Sequence, residues 1–377
     1  MTYQVLTQKW RPQTFQEIVG QDHIIHTLIN SISLERINHA YLFAGPHGTG
    51  KTSTARIFAK ALNCEKGLTP SPCNKCSNCL EISRGESLDV LEIDGASNRG
   101  IDEVRDLRER VNLFPIKGRF KIYIIDEVHM LTNPAFNALL KTIEEPPSHV
   151  IFIFATTDPE KVPATIISRC QRFDFRKIGL FDILARLKQI VEKEKIVTTD
   201  ESLQLIAKAS ENSMRDAEKI LDQLISYTRG NIKEEDVIQL LGMVETEYLA
   251  SFTENLYRRE PLSNIKLLHR ILREGKNPQW IVKDWLHWLR DLVMFKLGEK
   301  EVFSFPLKYA NLLGNQSHYF SISQLMSFIE HLSRAEREIR FSSTPHIYLE
   351  VLMVKLCSFE FEVEKLKEED PHLAFIY

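Results

Sequence analysis

The run Gly45-Pro46-His47-Gly48-Thr49-Gly50-Lys51-Thr52 constrains this chain more than any other feature. It fits the spacing G-x-x-x-x-G-K-[ST], follows a β-rich run, and opens a stretch over about 51–62 with helical character. Glycines at these places let consecutive backbone N–H groups turn inward around a phosphate chain, and the N-terminus of the following helix adds partial positive charge. Lys51 then reaches the terminal phosphates, and Thr52 offers its hydroxyl to Mg²⁺. The whole stretch, Gly45, Pro46, His47, Gly48, Thr49, Gly50, Lys51 and Thr52, is therefore expected to hold a nucleotide.

The surroundings suit such a loop. From about 38 to 178, short β-rich runs (41–44, 90–93, 121–125 and 150–155) alternate with helix-like stretches, which predicts an α/β domain with a mainly parallel sheet. Three of these runs end where Gly45, Asp126 and Thr156 begin. Ligands in open α/β sheets sit beyond the carboxyl ends of the strands, so these three points should converge on one crevice. The run 120–125 leads into Asp126-Glu127; there Asp126 is assigned to the metal and Glu127 to an attacking water.

The chain has 377 residues, enough for two or three domains with their own cores. After about residue 179 helical spacing takes over, with four short helices expected over 180–195, 202–210, 214–227 and 234–241. From 243 onward Trp285, Leu289, Leu292 and Val293 share one helix face, as do Leu325, Phe328, Ile329, Leu332 and Ile339, so a third, all-helical domain is expected. The acid-rich stretch 360–370 reads as a solvated helix or tail. The first residues hold no apolar stretch of signal-peptide length, and 150–155 is far too short to span a bilayer, which predicts a cytosolic protein with no membrane partner.

Four of the six cysteines, Cys64, Cys73, Cys76 and Cys79, form C-x8-C-x2-C-x2-C in a loop-like segment. Four thiolates at this spacing can close a tetrahedron around Zn²⁺, and a closed site of this kind is structural, with no position open for chemistry. Cys170 and Cys357 read as buried thiols. The net charge of −3 means that any nucleic-acid contact must come from a local patch. The stretch 99–121 is a modest one, with seven basic residues (Arg99, Arg105, Arg108, Arg110, Lys117, Arg119, Lys121) against four acids.

Read together, these motifs closely resemble the ATPase subunits of the bacterial DNA polymerase III clamp loader, the gamma/tau family of AAA+ proteins. The resemblance is carried by Lys9-Trp10-Arg11-Pro12, Val19-Gly20-Gln21, the phosphate loop, Asp126-Glu127-Val128-His129-Met130-Leu131, the run 137–147, Ala155-Thr156-Thr157-Asp158-Pro159 and Ser168-Arg169-Cys170. It implies an AAA+ P-loop domain over 1–178 with a zinc-binding insertion at 64–79, a small helical lid over 179–242, and an all-α collar over 243–377 that mediates oligomerisation. It implies ATP, Mg²⁺ and Zn²⁺ as cofactors, with Arg11, Pro12 and Val19 bordering the nucleotide.

The same resemblance implies roles for single residues. Thr157 corresponds to a first sensor of the γ-phosphate. Arg215 corresponds to a second, although Asn212 stands where the family usually has glycine. Arg169 is the residue that reaches in trans into a neighbouring subunit's site, with Lys141 projecting across the same interface. Arg99 and Arg105 become candidate contacts to the phosphates of primed DNA. The implied partners are the other subunits of a hetero-pentamer, a sliding clamp and primer-template DNA, with polymerase and helicase added for a longer form. The implied location is the bacterial cytoplasm, at the nucleoid.

Overall fold

The computed structural model describes residues 3–100, 107, 109–298 and 309–358. Arg105, Arg108 and the stretch 360–370 lie outside the described residues. The chain divides into two compact units, 1–234 and 235–377.

The first unit is built on a five-stranded parallel sheet: β1 (Ala40–Ala44), β2 (Val90–Asp94), β3 (Lys121–Asp126), β4 (Val150–Thr156) and β5 (Gln171–Asp174), in the spatial order β2-β3-β4-β1-β5. The three central strands are apolar on both faces, as a sheet covered by helices on either side requires. Successive side chains point to opposite faces. Tyr41 and Phe43 of β1, Ile122 and Ile124 of β3, and Ile151 and Ile153 of β4 pack into one core with Ile57 and Phe58 of the helix Lys51–Asn63. Leu42, Tyr123, Ile125, Phe152 and Phe154 pack into the other with Phe136 and Leu139 of the helix Asn133–Glu144.

The four expected strands are present, each longer by one residue. The fifth, β5, was absent from the sequence reading. Its residues Gln171-Arg172-Phe173-Asp174 present only Phe173 to the core, and an edge strand needs no more. β5 pairs with β1, while β4 pairs with β1 on its other side, so that Ala44 lies opposite both Thr156 and Asp174. The phosphate loop thus leaves a strand flanked on both sides.

The helices Leu180–Glu194, Asp200–Ala209 and Met214–Thr228 follow, close to the expected bounds. A two-residue parallel pair, Val197–Thr198 with Asn231–Ile232, joins them and was not foreseen, being too short to carry a periodic pattern. Glu211 and Asn212 both have positive φ (52° and 70°) just before the helix Met214–Thr228. That conformation favours glycine, and asparagine tolerates it better than most residues. The Asn212 side chain also donates to Ile178 O at 2.7 Å, tying the helical segment to the end of the sheet domain.

The second unit is all-helical. Its helices include Thr246–Tyr257, Pro278–Lys296, Ile322–Ile339 and Pro345–Cys357 around a core that contains Trp285, Trp288, Leu289, Leu292, Leu325, Phe328, Leu332 and Ile339. Each buried indole has a partner: Trp285 Nε1 donates to Thr253 Oγ1 at 3.0 Å and Trp288 Nε1 to Gln316 Oε1 at 2.9 Å. Trp288→Ala should destabilise this unit by about 3–5 kcal/mol, since it opens a cavity and strands the Gln316 amide oxygen. Thermal or denaturant unfolding of the variant would measure it, and an unchanged midpoint would contradict the packing described. Among the described residues, no helix is long and apolar enough to cross a membrane.

Candidate functional site

A cavity of about 560 Å³ opens at the carboxyl end of the sheet, lined by His47 to Ser53, by Asp126 and Glu127, and by Arg11, Pro12, Ile18 and Val19 from the N-terminal segment. Of the three strand-end points expected to converge there, Asp126 lines the cavity while Gly45 and Thr156 do not, and Gly45 N instead donates to Thr156 O at 3.1 Å. Two glycines of the loop are fixed by close approach. A Cβ on Gly45 would meet Phe175 O at 2.4 Å, and one on Gly48 would meet Ser213 Oγ at 1.9 Å.

The loop side chains are already engaged. Lys51 is 6% exposed, and its Nζ donates to Gly45 O at 2.7 Å and Pro46 O at 2.8 Å. Burial lowers its pKa, and the charges of Glu127 and Asp126 oppose that shift. Thr52 Oγ1 donates to Asp126 Oδ2 at 2.6 Å. A hydroxyl and a carboxylate held this closely beside a phosphate-binding loop fit the oxygen ligands that Mg²⁺ takes together with substrate phosphates.

Glu127 stands at the rim with φ 45°, a strained backbone for a glutamate. Its Oε2 accepts from Thr157 Oγ1 at 3.0 Å and from Thr157 N at 3.3 Å. Nδ1 of His129 lies 3.3 Å from the same oxygen and 3.0 Å from Thr156 Oγ1, and His47 Nδ1 lies 3.6 Å from Oε1. Thr157 thus holds the carboxylate and is not among the residues lining the cavity. A carboxylate oriented in this way can receive a proton from a water bound above the loop.

The helical segment closes the cavity from above. Met214 N donates to Gly48 O at 3.2 Å, and Met214, Arg215 and Glu218 all line the cavity. Glu218, with Arg186, was missing from the sequence reading, as were Glu17 and Glu92. Glu218 is 6% exposed; burial pushes its carboxyl up to about 7 even with Arg186 and Arg11 near it. Arg11 is itself lowered by burial and by the nearby charge of Arg56. The signal that finds Arg186 and Glu218 is spatial, because they come from two helices more than a hundred residues beyond the loop.

Arg169 does not reach the cavity of its own chain. Its guanidinium pairs with Glu144 at 2.6 Å and donates to Thr165 O at 2.7 Å, with the side chain 36% exposed. Lys141, on the helix that ends in Glu144, is exposed. Arg99 is exposed too, with its Nε donating to Ala96 O at 2.8 Å. The basic patch is smaller than its composition suggests. Lys117 pairs with Glu81 at 2.6 Å, Arg119 donates to Cys64 O at 2.8 Å, and Lys121 is buried in β3.

The four cysteines converge as their spacing predicts, with all four Sγ atoms within 4.8 Å of one another. A tetrahedron of Zn–S bonds of about 2.3 Å has edges of about 3.8 Å, so the donor set fits Zn²⁺. Cys76 N donates to Cys73 Sγ at 3.3 Å, and the backbone N–H groups of Lys75 and Cys76 bring the half-buried Cys73 thiol down to about 6. Of the remaining cysteines, Cys357 is buried, as expected, while Cys170 is half-buried.

Three family descriptions match along the chain. Residues 20–179 match "DNA polymerase III, delta subunit", 182–230 match "DNA polymerase III clamp loader subunit, ATPase lid domain", and 232–368 match "DNA polymerase III subunits gamma and tau domain III". DNA polymerase III subunit tau of Bacillus subtilis is 43% identical over 359 residues, covering 95% of this chain and 64% of that protein. Subunit tau of Escherichia coli is 44% identical over 298 residues, covering 79% of this chain and 46% of that protein. Subunit gamma of Buchnera aphidicola subsp. Acyrthosiphon pisum is 38% identical over 366 residues, covering 95% of this chain and 99% of that protein. The chain therefore spans between about half and two thirds of the length of these tau relatives and almost the whole of that gamma subunit.

Proposed function

The chain belongs to the gamma/tau family of DNA polymerase III subunits, and we propose that it is an ATP-hydrolysing subunit of a replicative clamp loader. The observation that carries this reading is the set Lys51, Thr52, Asp126 and Glu127 around one cavity. Lys51 stands under the loop, Thr52 is bonded to Asp126, and Glu127 is held at the rim by Thr157. A subunit that only scaffolds its neighbours has no use for all four cavity residues.

In this reading Gly45 to Thr52 cradle the phosphates, while Arg11, Pro12 and Val19 border the base and sugar. Thr52 and Asp126 would hold Mg²⁺, which would supply neutralisation of phosphate charge. Glu127 orients the attacking water and takes its proton. Arg215 responds to the terminal phosphate from the lid, and Thr157, the first sensor in this reading, acts through the Glu127 carboxylate it holds. Arg169 of one subunit completes the site of the next, as a guanidinium that stabilises charge on the transferring phosphoryl group.

ATP then acts by population shift: it favours the subunit arrangement that completes its site, and hydrolysis removes that preference. The work done is the opening of a ring-shaped sliding clamp and its release on primer-template DNA. The C-terminal helical unit serves as the collar of a hetero-pentamer. Arg99, with Arg105, contacts the DNA backbone, and Zn²⁺ sits on Cys64, Cys73, Cys76 and Cys79. In a longer form, polymerase and helicase contacts lie beyond this stretch. The proposed setting is the bacterial cytoplasm at the nucleoid.

The deciding experiment is ATP turnover by the chain assembled with its partner subunits, with and without sliding clamp and primed DNA. Turnover should rise when both are added. Turnover indifferent to both, or strand displacement without a clamp, would sink the proposal.

A further inference from the structure

One buried side chain joins the cysteine loop to the nucleotide cavity. Lys60 projects from the helix Lys51–Asn63 and is 1% exposed. Its Nζ donates to Gln13 O at 2.9 Å, Gln13 Oε1 at 2.9 Å and Asn74 Oδ1 at 2.7 Å. These bonds use all three ammonium hydrogens on neutral acceptors. Lys60 makes no ion pair to a carboxylate among the described residues, and burial brings its pKa down to about 8 although the charges of Cys79 and Glu17 oppose that shift. Four thiolates around one Zn²⁺ carry a net charge of −2, and Asn74 sits inside that loop, between Cys73 and Cys76, with φ 55°.

The other two bonds lead toward the cavity. Gln13 N donates to Glu17 Oε2 at 2.7 Å and Gln13 Nε2 to Arg11 O at 3.0 Å. Arg11, Pro12 and Glu17 line the cavity. Ser83 Oγ, on the helix Ser77–Arg84 that starts at the cysteine loop, donates to Gln13 Oε1 at 3.1 Å. Gln13 is therefore held from the metal side by Lys60 and Ser83, and it holds the cavity segment in turn.

We propose that Lys60 is a positioning residue that couples zinc in the four-cysteine loop to nucleotide in the cavity: the metal's charge fixes Lys60, Lys60 fixes Gln13, and Gln13 sets the Arg11–Glu17 segment. The proposal rests on the zinc and nucleotide readings above, and its test separates the three. Coupling between two ligands is reciprocal, so nucleotide must retain zinc as strongly as zinc tightens nucleotide.

The equilibrium partition of zinc between the intact, metal-loaded chain and a chromophoric chelator would be measured with and without the ATP analogue AMP-PNP and Mg²⁺. AMP-PNP should tighten zinc binding by at least about fivefold, the lower end of usual coupling. In Lys60→Met, which keeps an unbranched stem and removes the ammonium, and in Gln13→Ala, the two zinc affinities should coincide. A wild-type chain that carries one zinc and binds AMP-PNP saturably, yet holds zinc with the same affinity in both conditions, overturns the coupling and leaves both readings standing. A chain purified without zinc defeats the metal reading and the coupling with it, and one that does not bind AMP-PNP does the same for the nucleotide reading. If Lys60→Met fails to fold, Gln13→Ala decides alone: protection by AMP-PNP that persists there overturns the proposal.

Discussion

Arg169→Ala should lower ATP turnover of the assembled clamp loader by about 10³- to 10⁵-fold, the usual contribution of a guanidinium supplied in trans, while leaving nucleotide affinity unchanged. The structure makes this a clean substitution. Arg169 touches nothing in its own cavity, and its partner Glu144 is 45% exposed. Exposed pairs of this kind are worth at most about 1 kcal/mol, so the loss of this one should not unfold the domain, and the wild-type pair can open easily when a neighbour docks. Steady-state hydrolysis and equilibrium binding of a fluorescent ATP analogue, both on the reconstituted assembly, separate the two effects. Near-normal turnover in that assembly would remove the trans role.

The second large effect is expected at the other partner of the same reaction. Glu127→Gln keeps the size of the side chain and its acceptor oxygen toward Thr157 but removes the basic carboxylate, so turnover should fall by about 10²- to 10⁴-fold with binding retained. Single-turnover hydrolysis is the measurement of choice, because it reports chemistry and not product release. A loss of binding equal to the loss of rate would mean that Glu127 shapes the cavity instead of acting on water.

The residues proposed to act in hydrolysis were legible in the sequence because such chemistry demands fixed residue types at fixed spacing, and the cysteine loop was legible for the same reason. Residues 45–52 and Cys64 to Cys79 report their contacts without any knowledge of the rest of the chain. Arg186 and Glu218 do not, since only the packing of two separate helices against the loop brings them to the cavity. β5 escaped because an edge strand with one inward side chain has no apolar run. The basic residues at 117, 119 and 121 misled in the opposite direction: counted as free surface charge, they are engaged by Glu81, by the Cys64 carbonyl and by the sheet. Asn212 is an intermediate case. Its departure from glycine is visible in sequence, but the left-handed backbone that makes it tolerable is visible only in three dimensions.

The contact between Gly48 and the segment Ser213-Met214 has a mechanical consequence. The helix Met214–Thr228 begins directly on the loop 45–52, with no spacer to absorb movement. At a rise of about 1.5 Å per residue its 15 residues make a rod of about 22 Å, so a tilt of about 10° at the loop swings the far end by about 4 Å. A small displacement of Gly48 is thus enlarged at the other end of this lever, at Thr228.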